Sequence, residues 1–398
     1  MELKFNIFET MALVTAVYYL GKYLRTKIKF LSKYCIPAPV VGGLVFAIIT
    51  LILKLTNIAT ISMDTTLQNL FMTAFFASVG FTASLKILKN GGIKVAIFLG
   101  LAILLIISQD IVGATLAKLF NLNPLLGLCT GSVSMIGGHG TAGSFGPLLE
   151  ELGVKGATTV SFASATFGLV MGSFIGGFVA KSLIDNNNLK TPKESHDKEI
   201  PLSDFHEDNQ ALLCQKRLMK GSAFLFISMG IGSVISGFIQ DSGLTFPSYI
   251  GAMIAAAIIR NFCDIRKIEI EEKEIEVIGN ISLGYFLCIA LMGLKLWELF
   301  DLALPLVVML VAQSLLMAMF AYFITFKVMG KDYDAAVFAS ANCGFGMGAT
   351  PNAVANMDAL STKYGFAPTP YFVVPIVGAL FVDFVNSAVI TLFVNILS

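Results

Sequence analysis

Apolar residues run through this chain in long blocks with short polar interruptions. Ten of the blocks are long enough for a helix that crosses a hydrocarbon core, which takes about 20 residues. They fall at about 5–21, 36–55, 67–85, 95–119 and 156–181, then at about 218–240, 247–262, 277–294, 303–328 and 368–396. One stretch breaks the pattern on a larger scale. The sequence DNNNLKTPKESHDKEIPLSDFHEDNQ (Asp185 to Gln210) is polar and low in hydrophobicity, which marks a connector between two halves. The predicted organisation is an N-terminal five-helix unit over 1–184, a linker over 185–217 and a C-terminal unit over 218–398. His196 and His206 stand among acids in the linker, a setting shared with metal sites, but a solvated connector accounts for them.

The polar interruptions differ in how many cations they carry. Lys22, Arg25, Lys27, Lys29 and Lys33 follow the first block; Lys86, Lys89 and Lys94 lie between the third and fourth. Arg260, Arg266, Lys267 and Lys273, then Lys327 and Lys331, recur in the second half, while Lys4, Lys54, Lys118, Lys155 and Lys295 are left for the opposite face. The positive-inside rule then puts both termini outside and the linker in the cytoplasm. The first block reads as an uncleaved helix, because its cations follow the apolar run and no small-residue cleavage site comes after it.

Five spans on each side of a cytoplasmic linker give the halves opposite topology, and the residues support a repeat. IPAPVVGGLVFA (Ile36 to Ala47) matches LTFPSYIGAMIAA (Leu244 to Ala256), ISQD (Ile107 to Asp110) falls opposite VAQS (Val311 to Ser314), and GGHGTAG (Gly137 to Gly143) opposite GMGATPN (Gly346 to Asn352). Inverted repeats of this kind are the mark of secondary transporters. The expected fold is therefore an all-α integral membrane protein of about ten transmembrane helices in two inverted five-helix repeats.

Between the fourth and fifth spans, and again between the ninth and tenth, the chain is too apolar for a plain loop and is interrupted by glycines. Each segment is expected to form a glycine-rich re-entrant hairpin, over about 125–150 and about 335–362. Irregular backbone at membrane depth survives only where protein, water or a ligand satisfies its amide and carbonyl groups. At a hairpin tip, one limb ends with free carbonyls suited to a hard cation. The next limb begins with free N–H groups suited to a carboxylate. The second limb of the first hairpin is expected to start near Thr141 and Ser144, that of the second near Thr350, Pro351 and Asn352.

Two such tips meeting from opposite faces would form one midplane site for an anionic substrate with co-transported cations. The candidate substrate-binding residues are Ser134, Gly137, Gly138, His139, Gly140 and Thr141 from the first hairpin, with Gly346, Gly348, Thr350, Pro351 and Asn352 from the second. His139 either donates to a substrate carboxylate or braces the hairpin. The candidate sodium ligands are Asn342, Asn356, Asp383, Asn386 and Asp110; an ionisable residue inside a span is a functional candidate by default. Gly168, Gly172 and Gly176, at four-residue spacing in the fifth span, form a stripe along which another helix packs closely.

Composition agrees. Of 398 residues, 56% are hydrophobic and 13% charged, against about 25% charged in soluble domains. A net charge of +1 offers no nucleic-acid footprint. Six scattered cysteines lack metal or disulfide spacing and read as small apolar residues.

GGHGTAGSFGPLLEELG, ATTVSFASATFGLVMGSFIGG, NCGFGMGATPNAVANMDALSTKYG and YFVVPIVGALFVDFVNSAVI together resemble the bacterial sodium/glutamate symporter family. The resemblance implies sodium-coupled L-glutamate uptake by a homodimer in the cytoplasmic membrane. It also implies an elevator-like motion of a mobile domain past a scaffold, and no cofactor beyond the co-transported sodium. Its binding loops map to Gly137 to Thr141 and Gly344 to Asn352, with Asn356 and Asp383 behind them. Other readings are a symporter for another small carboxylate or amino acid, or a channel with re-entrant filter loops. An enzyme is not expected: AGSFG (Ala142 to Gly146) departs from the nucleophile-elbow pattern at its first glycine and follows no strand.

Overall fold

A computed structural model describes residues 2–86, 92–192, 215–241, 247–299 and 302–398. Residues 193–214 of the expected linker, with His196, His206 and Cys214, fall outside the described residues.

The described chain is almost wholly helical. Helix α1 (Ile7–Lys27) starts at a capping box, in which Asn6 accepts from the Phe8 and Glu9 amides while Glu9 accepts from the Asn6 amide. A short α2 (Lys29–Lys33) leads to α3 (Ala38–Leu55), α4 (Thr66–Thr82) and α5 (Gly92–Leu119). A broken segment follows: α6 (Pro124–Thr130), α7 (Ser132–Met135) and α8 (Gly138–Glu151), and then the long α9 (Ala157–Asn187). The second half holds α10 (Gln215–Asp241), α11 (Ser248–Arg266), α12 (Glu272–Met292) and α13 (Ala303–Met329), the last interrupted by a π turn at Phe320–Thr325. It ends with α14 (Tyr333–Gly346), α15 (Thr350–Tyr364), α16 (Pro368–Leu380) and α17 (Val382–Leu397).

Among the described residues, six helices are long and apolar enough to cross a membrane: α3, α5, α9, α10, α12 and α13. Counting α16 and α17 as one bent span makes seven. The three remaining expected spans are helices with local reasons to fall short. Helix α4 has 17 residues; α1 carries Lys22, Arg25 and Lys27 in its C-terminal part, and α11 carries Arg260, Asp264 and Arg266. The tenth expected span, 368–396, is broken and bends by 48° between Gly378 and Val382.

A short strand pair escaped the hydropathy pattern. Glu2–Phe5 (β1) pairs in parallel with Thr60–Met63 (β2), Leu3 facing Ile61. The pairing is long-range and spans only four residues, so no periodicity announces it.

The helices sort into two bundles. In one, α3 and α4 both pack on α12, α4 also packs on α11, α1 runs beside α3, and α10 beside α11. In the other, α5 packs on α6 and α13, and α9 packs on α8, α14 and α15, with α16 and α17 against α5. Glycines set the close crossings. A Cβ on Gly42 would meet the Val17 carbonyl of α1, and one on Gly251 the Gly232 carbonyl of α10.

The glycine stripe of α9 packs as its spacing predicts. Added Cβ atoms on Gly168 and Gly172 would meet the Met347 and Cys343 carbonyl oxygens, and one on Gly176 the Asn356 side-chain amide, so the stripe seats α14 and α15.

Candidate functional site

Both broken segments begin with the same local device. Asn123 caps α6 by accepting from the Leu125 amide, with Pro124 at the first helical position, and Asp332 caps α14 by accepting from the Ala335 amide at 2.8 Å. Each first limb then stops at glycines. Helix α6 yields to α7 at Gly131, and α8 begins at Gly138, three residues before the expected Thr141. The start of α15 at Thr350, with Pro351 and Asn352 in its first turn, is where the sequence predicted it.

The two glycine tips meet. Gly138 has φ +56°, in the left-handed region that favours glycine, and a Cβ there would lie 3.2 Å from the Gly348 carbonyl oxygen. Beside this contact is a cavity of about 330 Å³. Of the predicted residues, Gly137, Gly138, His139, Gly140, Gly348, Thr350, Pro351, Asn352 and Asp383 line it. Its wall on the other bundle is made by Pro37 and Cys35 before α3, Phe75 of α4, and Leu283 and Leu287 of α12. The cavity therefore lies between the two bundles. Phe75, Leu283 and Leu287 were missed from sequence, since each is an ordinary apolar position of its helix.

Asp383 sits in the first turn of α17, where the helix dipole favours an anion. No Lys or Arg stands among the described residues lining the cavity. Asn352 donates from Nδ2 to the Leu169 carbonyl at 2.8 Å and to Ser173 Oγ at 3.2 Å, and its buried Oδ1 has no partner among the described residues. An acceptor left unpaired in this way costs about 1–3 kcal/mol.

The remaining candidates lie outside the cavity. Ser134 Oγ reaches the Cys129 carbonyl at 2.6 Å and the Ser161 carbonyl at 2.8 Å. Thr141 lies one turn into α8, its amide donating to the Gly137 carbonyl at 3.2 Å. The Gly346 carbonyl accepts from Gln109 Nε2 at 2.8 Å. Asn342 donates to Thr325 Oγ1 in the π turn at 2.8 Å, and Asn356 to the Gly172 and Ser340 carbonyls.

Asp110 and Asn386 meet at the α6–α7 break. Asp110 accepts from the Ser132 amide and hydroxyl, both at 2.9 Å, and Asn386 Nδ2 donates to the Ser132 carbonyl at 3.2 Å. All three residues are fully buried, and Asn386 Oδ1 has no partner among the described residues. Among the described residues, no three His, Cys, Asp or Glu side chains gather at one place. The oxygen groups on offer are carbonyls, amides and single carboxylates, which suit a hard monovalent cation better than zinc.

Residues 3–366 match the family described as sodium/glutamate symporter. Over 387 residues, 96% of each chain, the protein is 40% identical to the sodium/glutamate symporters of Escherichia coli (strain K12) and of Shigella flexneri. It is 36% identical to that of Haemophilus influenzae over 393 residues, 98% of this chain and 97% of the relative. These relatives are named as symporters and not as enzymes. An all-helical chain with six or seven apolar spans, whose length is matched almost throughout by these relatives, is a membrane transporter and belongs to the sodium/glutamate symporter family.

Proposed function

We propose that the protein takes up L-glutamate with sodium by alternating access, holding the substrate between its two glycine tips. The observation that carries this reading is the tip contact itself. Gly138 faces the Gly348 carbonyl beside a cavity that contains Asp383 and lies between two bundles. In this reading the segments at 124–151 and 333–364 are re-entrant hairpins, and ten helical passes form two inverted repeats, 1–184 and 218–398, joined by a cytoplasmic linker. Both termini lie outside the bacterial inner membrane.

The packing supports the repeat. The second helix of each half lies on the third helix of the other, α3 on α12 and α11 on α4. The fourth helices, α5 and α13, lie on each other, with Gln313 Nε2 donating to the Gln109 carbonyl at 2.8 Å. Those glutamines are the pair that ISQD and VAQS place opposite one another.

The substrate's carboxylates take the amides at the start of α8 and the Thr350 amide at the start of α15. One sodium takes Asp383 with the free Oδ1 of Asn352, and a second takes Asp110 and Asn386. Asn342 and Asn356 position the second hairpin. The bundle carrying the tips moves past the other, which forms the scaffold of a homodimer among membrane lipids. Sodium is a co-transported ligand and no cofactor is needed.

Glutamate carries one net negative charge inward, against about 2.3 kcal/mol per 100 mV. Two sodium ions reverse that sign. In proteoliposomes, labelled L-glutamate uptake should require an inward sodium gradient and speed up when the interior is made negative. Potassium or proton gradients alone should not drive it. Uptake driven equally by protons, or indifferent to voltage, would contradict the two-sodium reading.

A further inference from the structure

The hydrogen bonds of one side chain in the cavity fix which part of the substrate it is able to read. His139, in the first turn of α8, holds its ring near that of Phe162, with centroids 6.1 Å apart. Its Nε2 lies 3.0 Å from Thr166 Oγ1 on α9. A threonine hydroxyl has one proton, and that of Thr166 is already donated to the Phe162 carbonyl one turn earlier, at 2.9 Å. With the hydroxyl proton on the Phe162 carbonyl, Thr166 Oγ1 is the acceptor in its contact with His139 and Nε2 carries the ring proton, which is the tautomer adopted here. In a neutral imidazole this leaves Nδ1 as a bare acceptor. Nδ1 has no hydrogen-bond partner among the described residues, although the residue borders the cavity.

We propose that His139 is a specificity-determining residue that reads the substrate's amino group, Nδ1 accepting an N–H from the ammonium, with Thr166 setting the tautomer. The inference rests on the glutamate reading above and sharpens it. In this tautomer the ring presents only an acceptor to the cavity and gives nothing to a carboxylate, so accepting from the ammonium takes the place of the donor reading of His139. The bracing role falls to Nε2 alone. The polar features around it divide the substrate accordingly. The helix starts at Gly138 and Thr350 offer N–H groups for carboxylates, and His139 offers a lone pair to the cationic end. A dicarboxylate of the same length without an amino group would cover Nδ1 without pairing it, and that penalty gives the discrimination.

The test is competition against labelled L-glutamate in the sodium-driven uptake assay, comparing unlabelled L-glutamate with glutarate, which lacks only the amino group. The ratio of the two half-inhibiting concentrations does not depend on how many transporters are active, so partial loss of folded protein leaves it unchanged. His139→Phe keeps an aromatic ring and removes the acceptor. It should reduce the preference for glutamate over glutarate by about tenfold or more, the worth of one hydrogen bond to a charged group. Thr166→Val removes the group that keeps the proton on Nε2 and should reduce the preference to a smaller extent with His139 intact.

An unchanged ratio in His139→Phe overturns the proposal. Where uptake by that variant is too slow to read, Thr166→Val decides in its place: a reduced ratio supports the assignment and an unchanged one overturns it. Absence of sodium-driven glutamate uptake by the unaltered protein is a different result. It would sink the glutamate reading, and the role of His139 would fall with it.

Discussion

Asp383→Asn is expected to weaken sodium dependence by about a hundredfold or more while the protein remains folded. The carboxylate stands in a cavity whose described lining has no Lys or Arg. A charge in such a place, which the start of α17 offsets only in part, draws a compensating cation. Removing one partner of a buried pair costs about 3–5 kcal/mol, more than two decades in binding. Asparagine keeps the shape and one oxygen, so the loss reports charge and not volume. The check is the sodium concentration that half-saturates glutamate uptake, read beside the unfolding temperature in detergent. A variant with unaltered sodium dependence would remove Asp383 from the cation site.

The second large effect concerns how closely the second hairpin sits on α9. Gly168→Ala would press a methyl group against the Met347 carbonyl, the last turn before the Gly348 tip. Backbone on both sides leaves neither partner free to give way, and overpacking of this kind costs about 1–3 kcal/mol. The tip is displaced before the fold is lost, so uptake should fall by about tenfold or more with a lowered unfolding temperature. Gly177, on the exposed side of the same helix, has nothing within 4 Å of an added Cβ. Gly177→Ala should therefore stabilise the helix by about 0.5–1 kcal/mol and leave uptake unchanged. Equal effects at the two positions would show that helix propensity, and not the close approach, governs this face.

Much of this was legible in the sequence because membrane burial writes itself into local pattern. Each of the ten apolar blocks is helical, and the start of α15 falls on the Thr350–Pro351 signal. The glycine runs at 137–140 and 344–348 mark the places where helices stop and meet. What was not legible is the long-range part. Phe75, Leu283 and Leu287 have no local sign that distinguishes a cavity wall from a lipid-facing or core position, because that depends on which bundle lies opposite. The break before Asp383 was hidden by a continuous apolar run, and the four-residue pairing of Glu2–Phe5 with Thr60–Met63 by its brevity. The tautomer proposed for His139 rests on its contact with Thr166 on another helix, which no spacing encodes.

Whether the two glycine tips jointly hold the substrate is tested most directly by an electron cryomicroscopy map of the protein prepared in sodium with saturating L-glutamate. Glutamate density is expected between Gly137–Gly140 and Gly348–Asn352, its carboxylates at the starts of α8 and α15 and an ion beside Asp383. Well-resolved glutamate density elsewhere, with the space between the tips closed, would contradict a site shared by the two tips.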